Sequence, residues 1–218
     1  MTIRGPFEPE IDELPSQIPV FPLSGALLLP GSKLPLNIFE PRYLAMVRDT
    51  ISTPLRLIGM IQPNMDEAGS GYYSTGCAGR ISEFTEQEDG RILITLSGII
   101  RFQAASFTTI EAGYMVANID CSQYLDDRDI DESLINRVDL LSALRQYFDV
   151  KGFQVNWEQL EACSDERLIG TLSMICPFDA AEKQALLEAP RLSERAELLT
   201  AILQMACHDG EEQENAKH

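Results

Sequence analysis

Histidine is almost missing from this chain. There are two, His208 and His218, in 218 residues, and both lie in or beside a polar C-terminal stretch. Without a placed imidazole the usual base for an activated serine or cysteine is lacking. Cys207 adjoins His208, yet successive helical residues point about 100° apart, so the two do not form a dyad. There is no C-x-x-C, no H-E-x-x-H and no G-x-S-x-G, so neither a zinc site nor a nucleophile elbow is signalled. The nearest approach to a phosphate-binding loop is Gly71 to Gly76 (GYYSTG), where Cys77 and Ala78 occupy the places of the required lysine and hydroxyl. No catalytic residue, metal or cofactor is therefore expected.

Positive charge is scarce too. Lys and Arg number 17 against 34 Asp and Glu, a formal net charge of −17, and the basic residues are scattered singly. Such a balance opposes binding to nucleic acid and to anionic membrane surfaces. No apolar run approaches the ~20 residues that span a bilayer. The opening MTIRGPFEPEIDELP has no apolar core segment, so it reads as neither signal nor transit peptide, and a cytoplasmic protein is expected. The cysteines are 5 in number and widely spaced, which fits reduced thiols buried as small apolar side chains.

What is present is an ordinary globular composition, 44% hydrophobic and 23% charged. The densest information lies in Ile18 to Leu44, IPVFPLSGALLLPGSKLPLNIFEPRYL. Pro19, Pro22, Pro30 and Pro35 lack a donor and hold their predecessors extended, which predicts short, interrupted edge strands. Pro41 suits a first helical position, and Ile38, Leu44, Met46 and Val47 fit a short helix packed on a sheet. Leu55 to Gln62 reads as a buried strand and Asn64 to Gly71 as a loop. Gly76 to Thr85 is a strand, Glu88-Asp89-Gly90 a hairpin turn and Arg91 to Leu96 the return strand. Gly98 predicts a bulge before Ile99, Ile100 and Phe102, and Tyr114 to Ile119 is a further strand.

From Asp126 the pattern turns helical. The acidic run Asp126, Asp127, Asp129, Asp131, Glu132 reads as a solvated loop leading into a helix, without the ordered oxygen spacing of a calcium loop. Leu134, Val138, Leu141 and Phe148, with Ile135 and Leu144 beside them, make a long amphipathic helix that Gly152 ends. Trp157 to Ala162 forms a short helix, and Leu168, Leu172 and Ile175 mark another between Ser164 and Pro177. Asp179 with Glu182 predicts a capping box. Ser193 is expected to cap a last helix with the stripe Leu198, Ile202, Met205 and with Leu199, Leu203, Ala206 alongside.

The runs P-V-F-P-L, L-P-G and L-P-L-x-I-F-E-P-R-Y closely resemble the opening of the amino-terminal substrate-binding domain of the Lon family of ATP-dependent proteases. G-C-A-G-R-I, the acidic E-D-G turn, L-S-G-I-I-R-F and P-F-D-A-A-E-K-Q-A-L-L-E extend the likeness to roughly Leu14 to Ala206. The resemblance implies an α+β fold, a PUA-like antiparallel β pseudo-barrel followed by an α-helical bundle. The expected organisation is an arm at 1–13, a barrel domain at 14–125, a helical domain at 126–208 and a disordered tail at 209–218. It also implies a stand-alone, non-catalytic relative that binds exposed apolar or unfolded polypeptide, with an ATP-dependent protease or chaperone as partner. Self-association or regulation without a client is one alternative, and RNA binding by fold analogy is the other, which the charge opposes.

The polar groups to follow are Glu40, Arg42, Tyr43 and Arg101, with Phe21, Leu28, Leu29 and Phe39 as candidate apolar contacts. One reading is structural: Glu40 caps the helix and pairs with an arginine across the barrel mouth, while Tyr43 packs inward. The other makes these residues the rim of a shallow peptide-recognition surface. Regularly spaced apolar residues beside a strand favour the structural reading.

Overall fold

A computed structural model describes residues 7–64, 71–128 and 135–215, with side chains described as far as Cys207. The chain groups into two units. One comprises Met1–Ile130 and Pro177–Leu187, the other Asp131–Cys176 and Glu188–His218. The helical stretch is thus not one continuous piece, because the segment 177–187 belongs with the strands.

The first unit is built on six strands, β1 (Gln17–Pro22), β2 (Lys33–Ile38), β3 (Leu57–Ile61), β4 (Thr75–Glu86), β5 (Ile92–Thr109) and β6 (Met115–Asp120), with helix α1 (Pro41–Ile51) between β2 and β3. Their order is β2-β5-β4-β3-β1-β6, and β5 also pairs with β6. That last pairing closes β5, β4, β3, β1 and β6 into a ring. Every pair is antiparallel except β1 with β3, which run parallel, Val20 opposite Gly59. The parallel pair follows from the crossover through β2 and α1, since parallel neighbours need a long connection.

The closure depends on β5, which is 18 residues long and serves two parts of the sheet. Its first half pairs with β2 and its second with β6. The expected bulge divides the halves, as Ala78 faces Ile100 and Gly79 faces Gly98, leaving Ile99 extra. A Cβ on Gly98 would sit 2.1 Å from the Leu29 carbonyl oxygen, so only glycine lets the 23–32 loop cross there. Gly76, the last residue of the loop-like GYYSTG, is likewise a packing glycine inside β4, where a Cβ would lie 2.4 Å from the Phe102 ring. The hairpin turn closes as expected, with the Gln87 N–H donating to the Arg91 carbonyl at 2.8 Å and Gly90 at φ +85°. Ile18, Val20, Ile61, Ala78, Ile100, Phe102 and Ala117 fill the barrel core.

The second unit holds α2 (Arg137–Lys151), α3 (Trp157–Glu161), α4 (Asp165–Ile175) and α6 (Leu192–Asn215), while α5 (Ala180–Glu188) lies almost wholly in the first. Asn136, not the acidic run, caps α2, its side chain accepting from the Asp139 N–H at 3.3 Å. Gly152 ends that helix at φ +69°. Ser164 caps α4, and the Asp179–Glu182 box forms with both bonds at 2.8 Å. Ser193 falls inside α6, which starts at Leu192. Residues 209–215 of the expected tail continue α6; Asp129, Asp131, Glu132, Leu134 and His218 lie outside the described residues.

The helix faces correct the sequence reading. In α2 the buried side chains are Leu140, Ala143, Leu144, Tyr147 and Phe148, whereas Val138 is 77% exposed. In α4 Leu168, Ile169 and Leu172 are buried and Ile175 is 66% exposed. In α6 Leu199, Ile202 and Leu203 are buried and Met205 is 65% exposed. In α2 and α6 the buried face is turned by about one residue from the expected stripe, while in α4 Leu168 and Leu172 are buried as expected and only Ile175 is not. Two adjacent apolar residues per turn fit two faces equally well, and packing chooses between them.

Candidate functional site

Pro41 at the first position of α1 fixes where the helix begins, and the chain turns from β2 into it through Phe39 and Glu40. Glu40 has extended geometry, but its side chain makes no capping bond. It accepts instead from Arg42, Nε to Oε2 at 3.0 Å, with the ion pair closing at 2.9 Å. The expected cap and the expected arginine across the barrel mouth are both replaced by this neighbour, two residues away on the same turn. The Arg42 guanidinium also lies 4.5 Å over the Tyr43 ring. Tyr43 turns inward onto Phe21, ring centroids 4.2 Å apart, and burial holds its hydroxyl above the ordinary tyrosine pKa. Behind the corner, the Tyr114 hydroxyl donates to Asp49 of α1 at 2.8 Å. Burial first, and then this carboxylate, push its pKa to about 12.

The eight candidate residues therefore do not form one surface. Phe21, Leu28, Leu29 and Tyr43 are buried in the core, because β1 and the 27–29 run face inward. Phe39, 64% exposed, stands at the surface with Glu40 and Arg42, whose side chains are 44% and 51% exposed.

Arg101 is elsewhere altogether. It is buried in β5, donates from Nε to both Asp127 oxygens at 3.0 and 2.9 Å and from Nη2 to Oδ1 at 2.5 Å, and gives a further bond to the Leu187 carbonyl at 3.0 Å. Its guanidinium lies 4.9 Å from the Tyr124 ring centre. Asp127 also accepts the Arg101 main-chain N–H at 2.9 Å. Both side chains of the pair are 5% exposed, so Asp127 is not part of a solvated acidic loop. A buried arginine with a forked carboxylate partner and a carbonyl cap is a structural staple. It joins β5, the 3-10 segment Ser122–Arg128 and α5.

A second junction holds α5 to the barrel. Gln62 donates to Gln184 Oε1 and to the Ala180 carbonyl, both at 3.2 Å, and Gln184 donates to the Thr75 carbonyl at 3.1 Å. Lys183, itself buried, donates to the Gly25 carbonyl at 2.5 Å. Gln62, Lys183 and Gln184 are not among the candidate residues, although Lys183 and Gln184 lie within the P-F-D-A-A-E-K-Q-A-L-L-E run. The available signal was that α5 buries polar residues, which its composition alone does not reveal. Cys77, Cys176 and Cys207 are buried, and Cys121 and Cys163 half-buried. Among the described residues no helix is long and apolar enough to cross a membrane.

A small closed β-ring carrying helices α1 and α5 is a PUA-like α+β fold. The family model of the ATP-dependent protease La (Lon) substrate-binding domain matches residues 17–205. The chain belongs to that family. The match is to the substrate-binding domain and not to the peptidase domain. Among relatives, Lon protease 2 of Sorangium cellulosum is 27% identical over 219 residues, covering 92% of this chain and 25% of that protein. Lon protease 2 of Desulfotalea psychrophila is 25% identical over 192 residues, covering 85% and 24%. The chain thus spans about a quarter of the length of the curated relatives it matches. A crystal structure of a Lon N-terminal domain protein from Xanthomonas campestris aligns with TM-score 0.60 and 23% identity, over 85% of this chain and 97% of that one. The N-terminal domain of a Mycobacterium avium complex Lon protease aligns with TM-score 0.57 and 15% identity, over 88% and 98%. These two likenesses carry the fold.

Proposed function

We propose that this chain binds exposed apolar or unfolded polypeptide segments in the cytoplasm, without chemistry of its own, and passes them to an ATP-dependent protease or chaperone. The observation that carries the reading is the family match across 17–205. The surface supports it locally: Phe39, next to Glu40 in the chain, and Phe84 and Leu93 expose apolar area on the first unit. Covering an aliphatic or aromatic anchor fully contributes about 1.5–3 kcal/mol. A few anchors, after ordering costs, give binding of micromolar order, on the order of −8 kcal/mol. Such contacts exchange quickly, which suits a client that is handed on.

The test is an affinity comparison between matched folded and permanently unfolded forms of one protein. Binding of the unfolded form at least tenfold tighter is expected. Equal affinity for both forms, or none for either, removes the reading.

A further inference from the structure

Among the described residues, β2 and the far half of β4 are open edges of the first unit's sheet. β2 lies outside the ring and pairs with β5 alone, and β4 beyond Ile81 also has β5 as its one partner among the described residues. The second of these edges is guarded: it carries Glu83 and Glu86, and its register shifts at Ser82, devices that discourage an added strand. The β2 edge differs.

The direction of its main-chain groups can be read from β5. Gly98 donates its N–H to the Ser32 carbonyl at 2.9 Å and accepts from the Gly31 N–H at 3.0 Å, so its peptide groups face the β2 side. Thr95 faces the other way, since its carbonyl accepts the Ser82 hydroxyl of β4 at 3.1 Å. Alternation along a strand then turns Ile92, Ile94 and Leu96 toward β2, where they meet Ile38, Leu36 and Leu34. Lys33, Pro35 and Asn37 must therefore point their main-chain groups outward. The N–H groups of Lys33 and Asn37 and the carbonyls of all three line the edge. Pro35 forfeits no bond within the sheet, because its missing donor is on the open side. The side chains of Lys33, Pro35 and Asn37 are exposed, while Leu34 and Leu36 are only half-buried beside fully buried Ile94 and Leu96. The apolar layer is thus left open on the same side as the hydrogen-bonding edge.

We propose that the β2 edge accepts an extended polypeptide segment as an added antiparallel strand. This deepens the polypeptide-binding reading above and rests on it. Main-chain bonds to Lys33, Pro35 and Asn37 supply affinity that is indifferent to sequence, and alternate apolar side chains of the segment extend the Leu34–Leu36 layer. A client fits better than a second copy of this chain. Two β2 edges paired about Pro35 would set proline against proline, and neither could donate at the centre, whereas a client residue still donates to the Pro35 carbonyl.

The probe is a labelled, end-capped peptide alternating threonine and valine, titrated against the full chain by fluorescence anisotropy. With valines on the leucine face, the threonine N–H groups point at β2 and the valine N–H groups at solvent. N-methylation of the threonines is expected to weaken binding at least tenfold, and N-methylation of the valines to change it less than twofold. Asn37→Pro, which removes an outward donor and no sheet bond, is expected to weaken binding at least tenfold. Asn37→Ala, which keeps that donor, is expected to bind as the parent does. The proposal is overturned by equal effects of the two methylations, by undiminished binding to Asn37→Pro, or by no binding of the unmethylated peptide. It is also overturned if sedimentation shows a dimer that Asn37→Pro dissociates, since a second copy then holds the edge. The peptide arms leave the protein untouched, so a folding defect in the variant cannot decide the result. If the unfolded-protein preference survives while these arms fail, the polypeptide-binding reading stands and the strand-addition mode falls.

Discussion

Two arginines of the first unit show how burial changes the meaning of the same chemistry. Arg42 and Glu40 pair at 2.9 Å with side chains about half exposed, at 51% and 44%. Arg101 and Asp127 pair at 2.5 Å with both side chains 5% exposed. Water and salt screen the first pair and leave it free to meet a partner. At the second, either charge left alone would stay buried and uncompensated. Altering the exposed pair is expected to cost the fold little, and altering the staple much.

The strongest way to break this comparison is Arg101→Met. It strands Asp127 and the Leu187 carbonyl, and a loss of about 3–5 kcal/mol in urea unfolding is expected; a loss under 1 kcal/mol would mean that the staple is not decisive, with ~1 kcal/mol being the scale of an exposed pair. Next comes Gly98→Ala, three residues earlier on β5. Its methyl would press on the Leu29 carbonyl, 2.1 Å from the Cβ position, and a loss of about 1–3 kcal/mol should follow from the forced shift. Unchanged stability would show that the 23–32 loop gives way freely.

Tyr114→Phe sharpens the corner side of the comparison. Removing the bond to Asp49 should cost about 1 kcal/mol at neutral pH. The alkaline limb distinguishes this site. Because the folded pKa is raised to about 12 from 10.0, the folded state holds the proton more tightly. Its contribution is complete below pH 10 and is lost as pH rises from there through about 12. The parent should lose stability more steeply than Tyr114→Phe across that window, and parallel curves would remove the claim. The smallest effect belongs to Glu40→Ala, expected within about 0–1 kcal/mol and diminishing with added salt. A larger loss would mean that Glu40 holds the start of α1 after all.

The barrel was legible because its signals are local. Asp89-Gly90 sets the hairpin, Gly98 the bulge, and Ile92, Ile94 and Leu96 keep strict alternation, so strand positions and facing directions came together. The helices were legible in position but not in rotation. Leu198 and Leu199, or Ile202 and Leu203, offer adjacent apolar residues, and a period of 3.6 then fits two faces. The candidate site was the least legible part. Phe21, Leu28 and Leu29 look the same in sequence whether they line a groove or fill a core. Asp127 looks like its acidic neighbours, and only the tertiary approach of Arg101 makes it different. Gln62, Lys183 and Gln184 are polar residues whose burial depends on a segment more than 100 positions away, the Gln62–Gln184 separation being 122, and no local pattern records such a distance.

The return of Pro177–Leu187 to the strand-bearing unit has a consequence for synthesis. The ribosome releases the six strands by Asp120, but the ligand of Arg101 at Leu187 and the partners of Gln62, Thr75 and Gly25 emerge only after the helices α2 to α4. During translation the strands precede by some 60 residues the segment that is bonded to them, at several residues per second. A fragment cut after Arg128 would keep Asp127 for Arg101 but lack Leu187 and the α5 partners of Gln62, Thr75 and Gly25.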